Sequence, residues 1–75
     1  MEEQFKIEIR RFGKKVRQIR KGKNLTQVDL ELLCKINNGD LSRIENGQTN
    51  IEFFTIVKLA RALQVELFEL FIPDK

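Results

Sequence analysis

The amino-acid sequence predicts an all-α fold of five helical segments in one domain. Apolar residues recur every three or four positions, signals for helix starts recur along the chain, and no segment has a convincing strand pattern. A chain of 75 residues is expected to form a single domain. A domain of this size buries only about 60% of its unfolded surface, so a partner subunit would add useful apolar burial.

The first predicted helix is defined by a stripe of apolar residues at alternating steps of four and three. The stripe consists of Phe5, Ile9, Phe12, Val16 and Ile19. This spacing places the side chains on one face of a helix, which is expected to pack on the core. Glycine readily takes the left-handed conformation that ends helices, so the helix is expected to end near Gly22.

Two later stretches, LTQVDL at 25–30 and INNGDL at 36–41, share one signal for a helix start. In each, an apolar residue precedes a capping residue, Thr26 or Asn37, and an aspartate follows three positions after the cap. The two caps are eleven residues apart, so the earlier helix can hold only about two turns, from Gln27 to about Cys34. Two short helices joined by so short a turn form a helix-turn-helix.

The rest of the chain predicts the end of the third helix and two further helical elements. The third helix is expected to end at Asn46 and Gly47, a favourable C-terminal pair. Asn50 is expected to cap a fourth helix. The core face of that helix is predicted to comprise Phe53, Ile56, Val57, Ala60 and Leu63. A short fifth element is predicted from Glu66 to Phe71.

Composition argues against several classes of function. The chain has no histidine and a single cysteine, Cys34, so it cannot by itself assemble a disulfide or a Cys/His zinc site, and no metal or cofactor is predicted. Without histidine, a glycine-rich phosphate loop or clustered carboxylates, no catalytic constellation can be drawn, which argues against an enzyme. No run of about 18 apolar residues and no signal-peptide core is found, so we expect a cytoplasmic protein without a membrane span.

The positive charge of the chain is concentrated near one helix. The net charge is only +3, but no acidic residue interrupts the basic run before Asp29. The run comprises Arg10, Arg11, Lys14, Lys15, Arg17, Arg20, Lys21 and Lys23. Such a run is often a solvated helix face, and it is also the footprint of a protein that binds the phosphates of nucleic acid.

Two segments carry a family resemblance: FGKKVRQIRKGKNLTQVDL and LSRIENGQTNIEFFTIVKLARALQVELFELF. Together they resemble the Xre/Cro-type helix-turn-helix family of phage repressors, bacterial regulators and restriction-modification controller proteins, over residues 12–71. The TQ pair, the Ile-Glu-x-Gly ending of the third helix and the later KLARAL carry the resemblance in combination. Small controller proteins are the most similar subgroup, because GQTNI lacks the proline that is common in the family and no second domain follows.

The resemblance implies a compact five-helix bundle of the phage repressor/Cro type, with one helix-turn-helix DNA-binding domain over residues 1–75. The implied function is that of a sequence-specific double-stranded DNA-binding transcriptional regulator. Its recognition helix, about Asn38–Glu45, would enter the major groove, where base edges distinguish all four base pairs. The residues placed toward the bases are Asn38, Gly39, Ser42 and Arg43. Those placed toward phosphates are Arg17, Lys21, Lys23, Gln27, Asn37, Asn46, Gln48 and Thr49.

Several of the residues assigned to DNA contacts also have a purely structural explanation. Asn37 can serve as a helix cap, and the loop residues can be polar merely because they are solvated. Asp40 can stabilise the positive end of the helix, or it can accept a hydrogen bond from cytosine N4. Arg43 is the best candidate for reading sequence, against the alternative of an unengaged surface arginine.

The resemblance also implies an ion pair between Arg20 and Glu45, joining the first helix to the end of the third.

Three residues depart from the family pattern. Glu31 replaces the usual small residue where the second and third helices approach, so its carboxylate must find a partner or reach solvent. Lys35 and Gln64 stand where glycine is common, and the left-handed conformation costs about 1 kcal/mol at lysine.

A homodimer is predicted from phenylalanines beyond the core face of the fourth helix. Exposed aromatic side chains on a small domain indicate a contact surface, although each could instead complete the core. The predicted interface comprises Phe54, Phe68, Phe71 and Ile72.

An alternative function is an antitoxin-like protein-interaction module, whose partner would be a toxin or another protein.

Overall fold

The computed structural model describes residues 2–73, and within that range the chain is helical without strands. The elements are α1 (Glu2–Gly22), α2 (Gln27–Cys34), α3 (Asn38–Glu45), α4 (Phe53–Leu63) and a 3-10 helix (Leu67–Phe71). The all-α class is therefore confirmed. The predicted fifth helix is a single stretch of 3-10 helix, so the described residues form four α-helices and not five.

The two predicted helix starts are confirmed at Thr26 and Asn37. The Thr26 hydroxyl accepts from the Asp29 N–H at 3.0 Å, and the Asp29 carboxylate accepts from the Thr26 N–H at 2.8 Å. These bonds from the Thr26 backbone and side chain lower the pKa of the Asp29 carboxyl. Because this pKa is lower in the folded than in the unfolded chain, the two bonds stabilise the fold at pH values above the unfolded pKa. That stabilisation is lost as the pH falls through the folded pKa. Asn37 caps α3 by accepting from the Asp40 N–H at 2.8 Å.

The turn of the helix-turn-helix is made by a left-handed lysine. Lys35 has φ 63° and ψ 24°, and its N–H donates to the Glu31 carbonyl at 2.9 Å. Gln64 ends α4 in the same conformation, with φ 58°. Both residues thus adopt the geometry for which glycine is favoured. Glu31 is only partly buried, so its carboxylate is not sealed in the core.

Several predicted details of the helices are wrong. Helix α1 ends at Gly22 as predicted, but Gly22 is not left-handed; the left-handed residue after the helix is Asn24, with φ 62°. Helix α4 begins after Glu52 with no side-chain cap, because the loop runs two residues beyond Asn50 before the helix starts. Phe53 was predicted in the core and is 66% exposed, since it lies in the first turn of α4. Phe5, in the first turns of α1, is 44% exposed for a similar reason.

The core lies where α1 to α4 and the 3-10 helix meet. Helix α3 packs on α1 and α2, and α2 packs on α4. The buried residues are Phe12, Val16, Leu30, Cys34, Leu41, Ile44, Leu59, Ala60, Leu63 and Leu70. Leu59, absent from the predicted core face, is fully buried. Cys34 is buried, and burial raises the pKa of its thiol, so the side chain packs as a small neutral group.

Candidate nucleic-acid interface

Helix α3 presents a polar face away from the core. Its inner side is formed by Leu41, Ile44 and Glu45, which are buried. The four residues predicted to face bases lie on the remaining surface of the helix, where they are partly or fully exposed: Asn38, Gly39, Ser42 and Arg43. The helix period therefore brings these four residues together on one accessible face.

Glycine at position 39 leaves that face open. A β-carbon built on Gly39 would meet only the Asn37 Oδ1 atom, at 3.4 Å, which is ordinary contact. Neither fold nor backbone strain explains this glycine, because its φ is not positive. Its effect is to let another molecule approach the α3 backbone closely.

A side-chain network runs along the outer surface of α3. The Asn37 Nδ2 amide donates to the Asp40 Oδ2 atom at 2.9 Å, and the Arg43 guanidinium pairs with the Asp40 Oδ1 atom. Arg43 is 55% and Asp40 45% exposed in this pair. A weaker contact of 3.5 Å joins the Asn46 amide to the Ser42 hydroxyl. Arg43 is thus accessible but already engaged on one edge.

A buried ion pair fixes the other end of α3. The Arg20 Nε atom donates to Glu45 Oε2 at 2.7 Å and Arg20 Nη2 donates to Glu45 Oε1 at 3.0 Å, so the contact is bidentate. Arg20 Nη1 also donates to the Leu25 carbonyl at 2.7 Å. The two side chains are 8% and 2% exposed. The pair therefore ties α1, the segment before α2 and the C-terminus of α3 into one unit.

Gln27 adds to this buried cluster. Its side-chain amide donates to Glu45 Oε1 at 3.1 Å and is only partly exposed. The observed role of Gln27 is therefore to brace α3 from the start of α2. Its carbonyl oxygen cannot donate to a phosphate, so a phosphate contact must use the remaining amide hydrogen.

One residue of this junction was not anticipated from the sequence: Gly13. A β-carbon at Gly13 would lie 2.4 Å from the Ile44 carbonyl oxygen and 2.6 Å from the Glu45 carbonyl oxygen. Helix α1 thus crosses the end of α3 with backbone against backbone. The available signal was a glycine inside the strongest amphipathic helix pattern, where it weakens the helix unless close packing requires it.

The predicted phosphate-binding residues form two groups on the surface. Arg17 and Lys21 are exposed one turn apart on α1, and Lys23 is exposed just after that helix. In the loop after α3, Asn46 and Gln48 are exposed. The loop also contains Thr49, which is partly buried and donates to the Asn50 carbonyl at 3.2 Å, and Gly47, which turns the chain with φ 68°.

The four residues predicted for the dimer interface are all exposed. Phe54 is 72%, Phe68 62%, Phe71 55% and Ile72 45% exposed. Phe71 also contacts the core, since its ring centroid lies 5.4 Å from that of Phe12. Further apolar side chains are exposed elsewhere: Phe5, Ile7, Val28, Leu32, Leu33 and Phe53.

In the described part of the chain, no helix is both long and apolar enough to cross a membrane.

Known proteins similar to this chain include a control protein and a restriction-modification controller protein. Control protein C.BamHI of Bacillus amyloliquefaciens is 41% identical over 56 residues, covering 73% of this chain and 69% of the relative. The crystal structure of the restriction-modification controller protein C.AhdI from Aeromonas hydrophila superposes with a TM-score of 0.82 at 36% identity, covering 84% of this chain and 96% of that one.

Two further solved structures share the fold. The hypothetical transcription factor NHTF from Neisseria has a TM-score of 0.83 at 27% identity, covering 88% of this chain and 76% of that chain. An HTH_3 family transcriptional regulator from Vibrio cholerae has a TM-score of 0.85 at 19% identity, covering 89% of this chain but only 38% of its own. The helix-turn-helix family model HTH_3 matches residues 16–70. This chain therefore belongs to that helix-turn-helix family, as its Xre/Cro-type sequence features predicted, and is similar to restriction-modification controller proteins.

Proposed function

We propose that the protein is a transcriptional regulator that binds double-stranded DNA in a sequence-specific manner, as a single domain over residues 1–75. The observation that carries this proposal is the position of α3. Its polar face is accessible, while its C-terminus is fixed by the buried Arg20–Glu45 pair and by Gln27. A rigid helix with short polar side chains on one face is suited to a major groove about 12 Å wide.

Sequence reading is assigned to the outer face of α3. Arg43 can donate two hydrogen bonds to the O6 and N7 atoms of guanine, and Asn38 can pair with N6 and N7 of adenine. Ser42 can bond to several base edges. Gly39 leaves room for a base or a thymine methyl group to approach the helix backbone.

General affinity is assigned to groups beside that face. The exposed basic residues of α1 and the loop after α3 can reach the phosphates on either side of the groove. The assigned residues are Arg17, Lys21, Lys23, Gln27, Asn37, Asn46, Gln48 and Thr49. Asn37 would act through the N-terminus of α3, whose N–H groups favour an anion, while its own side chain remains the cap.

Replacing Arg43 with alanine is expected to weaken binding to the preferred duplex by about 1–3 kcal/mol and to relax the preference at one base pair. Lys21→Ala is the matched control, since it also removes one exposed cation but is assigned to a phosphate. It should weaken binding to preferred and scrambled duplexes alike. Equilibrium binding to both duplexes distinguishes the two roles. An equal loss on both duplexes for Arg43→Ala would show that it contacts phosphate and does not read a base.

The active species is proposed to be a homodimer formed through Phe54, Phe68, Phe71 and Ile72. Phe54 lies on α4, Phe68 and Phe71 lie on the 3-10 helix, and Ile72 directly follows that helix. Helix α4 and the 3-10 helix pack on each other, and all four side chains are exposed in the single chain. A two-fold dimer can place two copies of α3 about 34 Å apart, which matches half-sites one DNA turn apart on a roughly palindromic operator.

Sedimentation at micromolar concentration is expected to show a dimer for the wild type and a monomer for a Phe54→Glu, Phe68→Glu variant. Burying two carboxylates without partners is strongly unfavourable, so the variant should not associate. A Val28→Glu, Leu32→Glu variant changes two other exposed apolar residues, both on α2, and should remain dimeric. A wild type that stays monomeric both free and on DNA contradicts the proposal, as does a control variant that alone becomes monomeric.

A second candidate function is an antitoxin-like module that binds a toxin or another protein. The exposed apolar residues Val28, Leu32 and Leu33 on α2 favour it, because they lie outside the proposed dimer interface. If binding to a protein is the main function, removal of these residues should leave DNA affinity unchanged and abolish capture of that protein. For either function we propose a cytoplasmic protein without catalytic activity.

A further inference from the structure

The carboxylate of Asp40 is engaged at both oxygens on the exposed face of α3. Oδ2 accepts from the Asn37 amide at 2.9 Å, and Oδ1 pairs with Arg43. The Asp40 backbone N–H is also fixed, because it donates to the Asn37 Oδ1 atom at 2.8 Å. The aspartate is therefore held in one orientation by the residue before the helix and itself holds the arginine one turn later.

The Asp40–Arg43 pair has little reason to exist for folding alone. Ion pairs between exposed side chains three residues apart on a helix contribute little to stability. The matching aspartate of α2, Asp29, satisfies its helix start through Thr26 without any arginine. An acidic group on a face that meets DNA also repels phosphate, so its presence there calls for a compensating role.

The geometry leaves Arg43 able to read a base. Its guanidinium has five N–H donors, and the pair with Asp40 uses the Nη2 atom. Nη2 carries a second hydrogen, so together with a neighbouring nitrogen it still offers one edge of the planar group to the two acceptors of guanine. An arginine already held in place loses less conformational entropy when it binds than a free one does.

We infer that Asp40 is a positioning residue that determines specificity: it directs Arg43 toward base edges and keeps it from neighbouring phosphates. This inference rests on the proposed function. In complexes with the wrong sequence, its charge partly cancels that of Arg43, so the arginine adds little to nonspecific affinity.

The test measures base discrimination for wild type, Asp40→Asn, Arg43→Ala and the double variant. A preferred duplex is first selected from a randomised library with the wild type, and each base pair of it is then replaced in turn. Asp40→Asn is expected to reduce discrimination at the pair read by Arg43 by about fivefold or more. Binding to a scrambled duplex should be unchanged or tighter, with the salt dependence steeper by about one released counterion as Arg43 turns to phosphate.

Asp29→Asn is the matched control, because it removes the same charge at the same position of the preceding helix. It should leave the discrimination at every base pair unchanged. In the Arg43→Ala background, Asp40→Asn should cause no further loss of discrimination. Thermal melting establishes that each variant is folded, and a purely structural role of Asp40 would change melting without changing the discrimination ratio.

The outcomes separate this inference from the proposed function. If the wild type selects no sequence, the proposed function fails and the inference with it. If the wild type selects a sequence and Asp40→Asn discriminates as well as the wild type, only the inference is overturned. It is also overturned if Asp40→Asn causes the same loss with and without Arg43, because Asp40 would then act on the base directly.

Discussion

Replacing Glu45 with glutamine is expected to lower the stability of the fold by about 3 kcal/mol or more. The substitution keeps the shape of the side chain but removes its charge, leaving the buried Arg20 guanidinium without a compensating anion. Glutamine also presents one acceptor oxygen where Arg20 and Gln27 now share two. In a domain this small, the melting temperature should fall by about 12 °C or more, measured by circular dichroism.

An exposed ion pair of the same chain provides the control. Glu8 and Arg11 lie 3.7 Å apart with side chains 56% and 74% exposed. Glu8→Gln should change stability by less than about 0.5 kcal/mol, because water screens this pair. An unchanged melting temperature for Glu45→Gln would show that Arg20 does not depend on the carboxylate.

Replacing both members of the buried pair extends the same argument. An Arg20→Met, Glu45→Met variant removes both charges together and should be more stable than Glu45→Gln, since no charge is then left unpaired. Recovery of stability without recovery of DNA binding would indicate that the pair mainly fixes the orientation of α3. This outcome would separate the contribution of the pair to folding from its contribution to recognition.

The helix starts could be predicted from sequence because their causes are local. Thr26 and Asn37 each accept from a backbone N–H three residues ahead, and both signals are complete within four residues of chain. The start of α4 was misplaced for the opposite reason. Asn50 is a good capping residue, but the path of the preceding loop places Glu52 at the cap instead.

Periodicity alone identified only part of the α4 core face. The buried residues Leu59, Ala60 and Leu63 follow helical spacing, yet the predicted face included Phe53 and omitted Leu59. A stripe on a helix shows which residues share a face, but neighbouring elements decide how far along the helix that face is covered. Phe53, in the first turn of α4, is therefore mostly exposed.

At the candidate site, the Arg20–Glu45 pair could be predicted from the family resemblance and not from a local sequence signal. Arg20 and Glu45 are 25 positions apart, and neither charge patterning nor spacing pairs them. The family resemblance supplied that pair, and the structure places the two side chains in contact. By contrast, the pairing of Asp40 with Arg43 follows from their spacing of three on one helix, a signal that is present in the sequence itself.

Gly13 illustrates a requirement that no local pattern reveals. The residue lies inside α1, between Phe12 and the next buried turn, where alanine would normally be the better helix former by about 1 kcal/mol. Its backbone instead lies against the last residues of α3. The three atoms nearest to an added β-carbon are all backbone atoms of Ile44 and Glu45, at 2.4, 2.6 and 2.9 Å. Such atoms cannot move without moving the end of the helix that carries the candidate interface.

Gly13→Ala is therefore expected to destabilise the fold by about 2–3 kcal/mol, because overpacking against backbone outweighs the gain in helix propensity. It should also weaken DNA binding, since displacing the end of α3 strains the Arg20–Glu45 pair. Gly22→Ala is the matched control: the same substitution in the same helix meets no atom within 4 Å and should be neutral or slightly stabilising. Thermal melting of the two variants side by side measures the difference. A Gly13→Ala variant as stable as Gly22→Ala would mean that α1 and α3 can separate at this crossing at little cost, and that the close approach does not hold α3 in place.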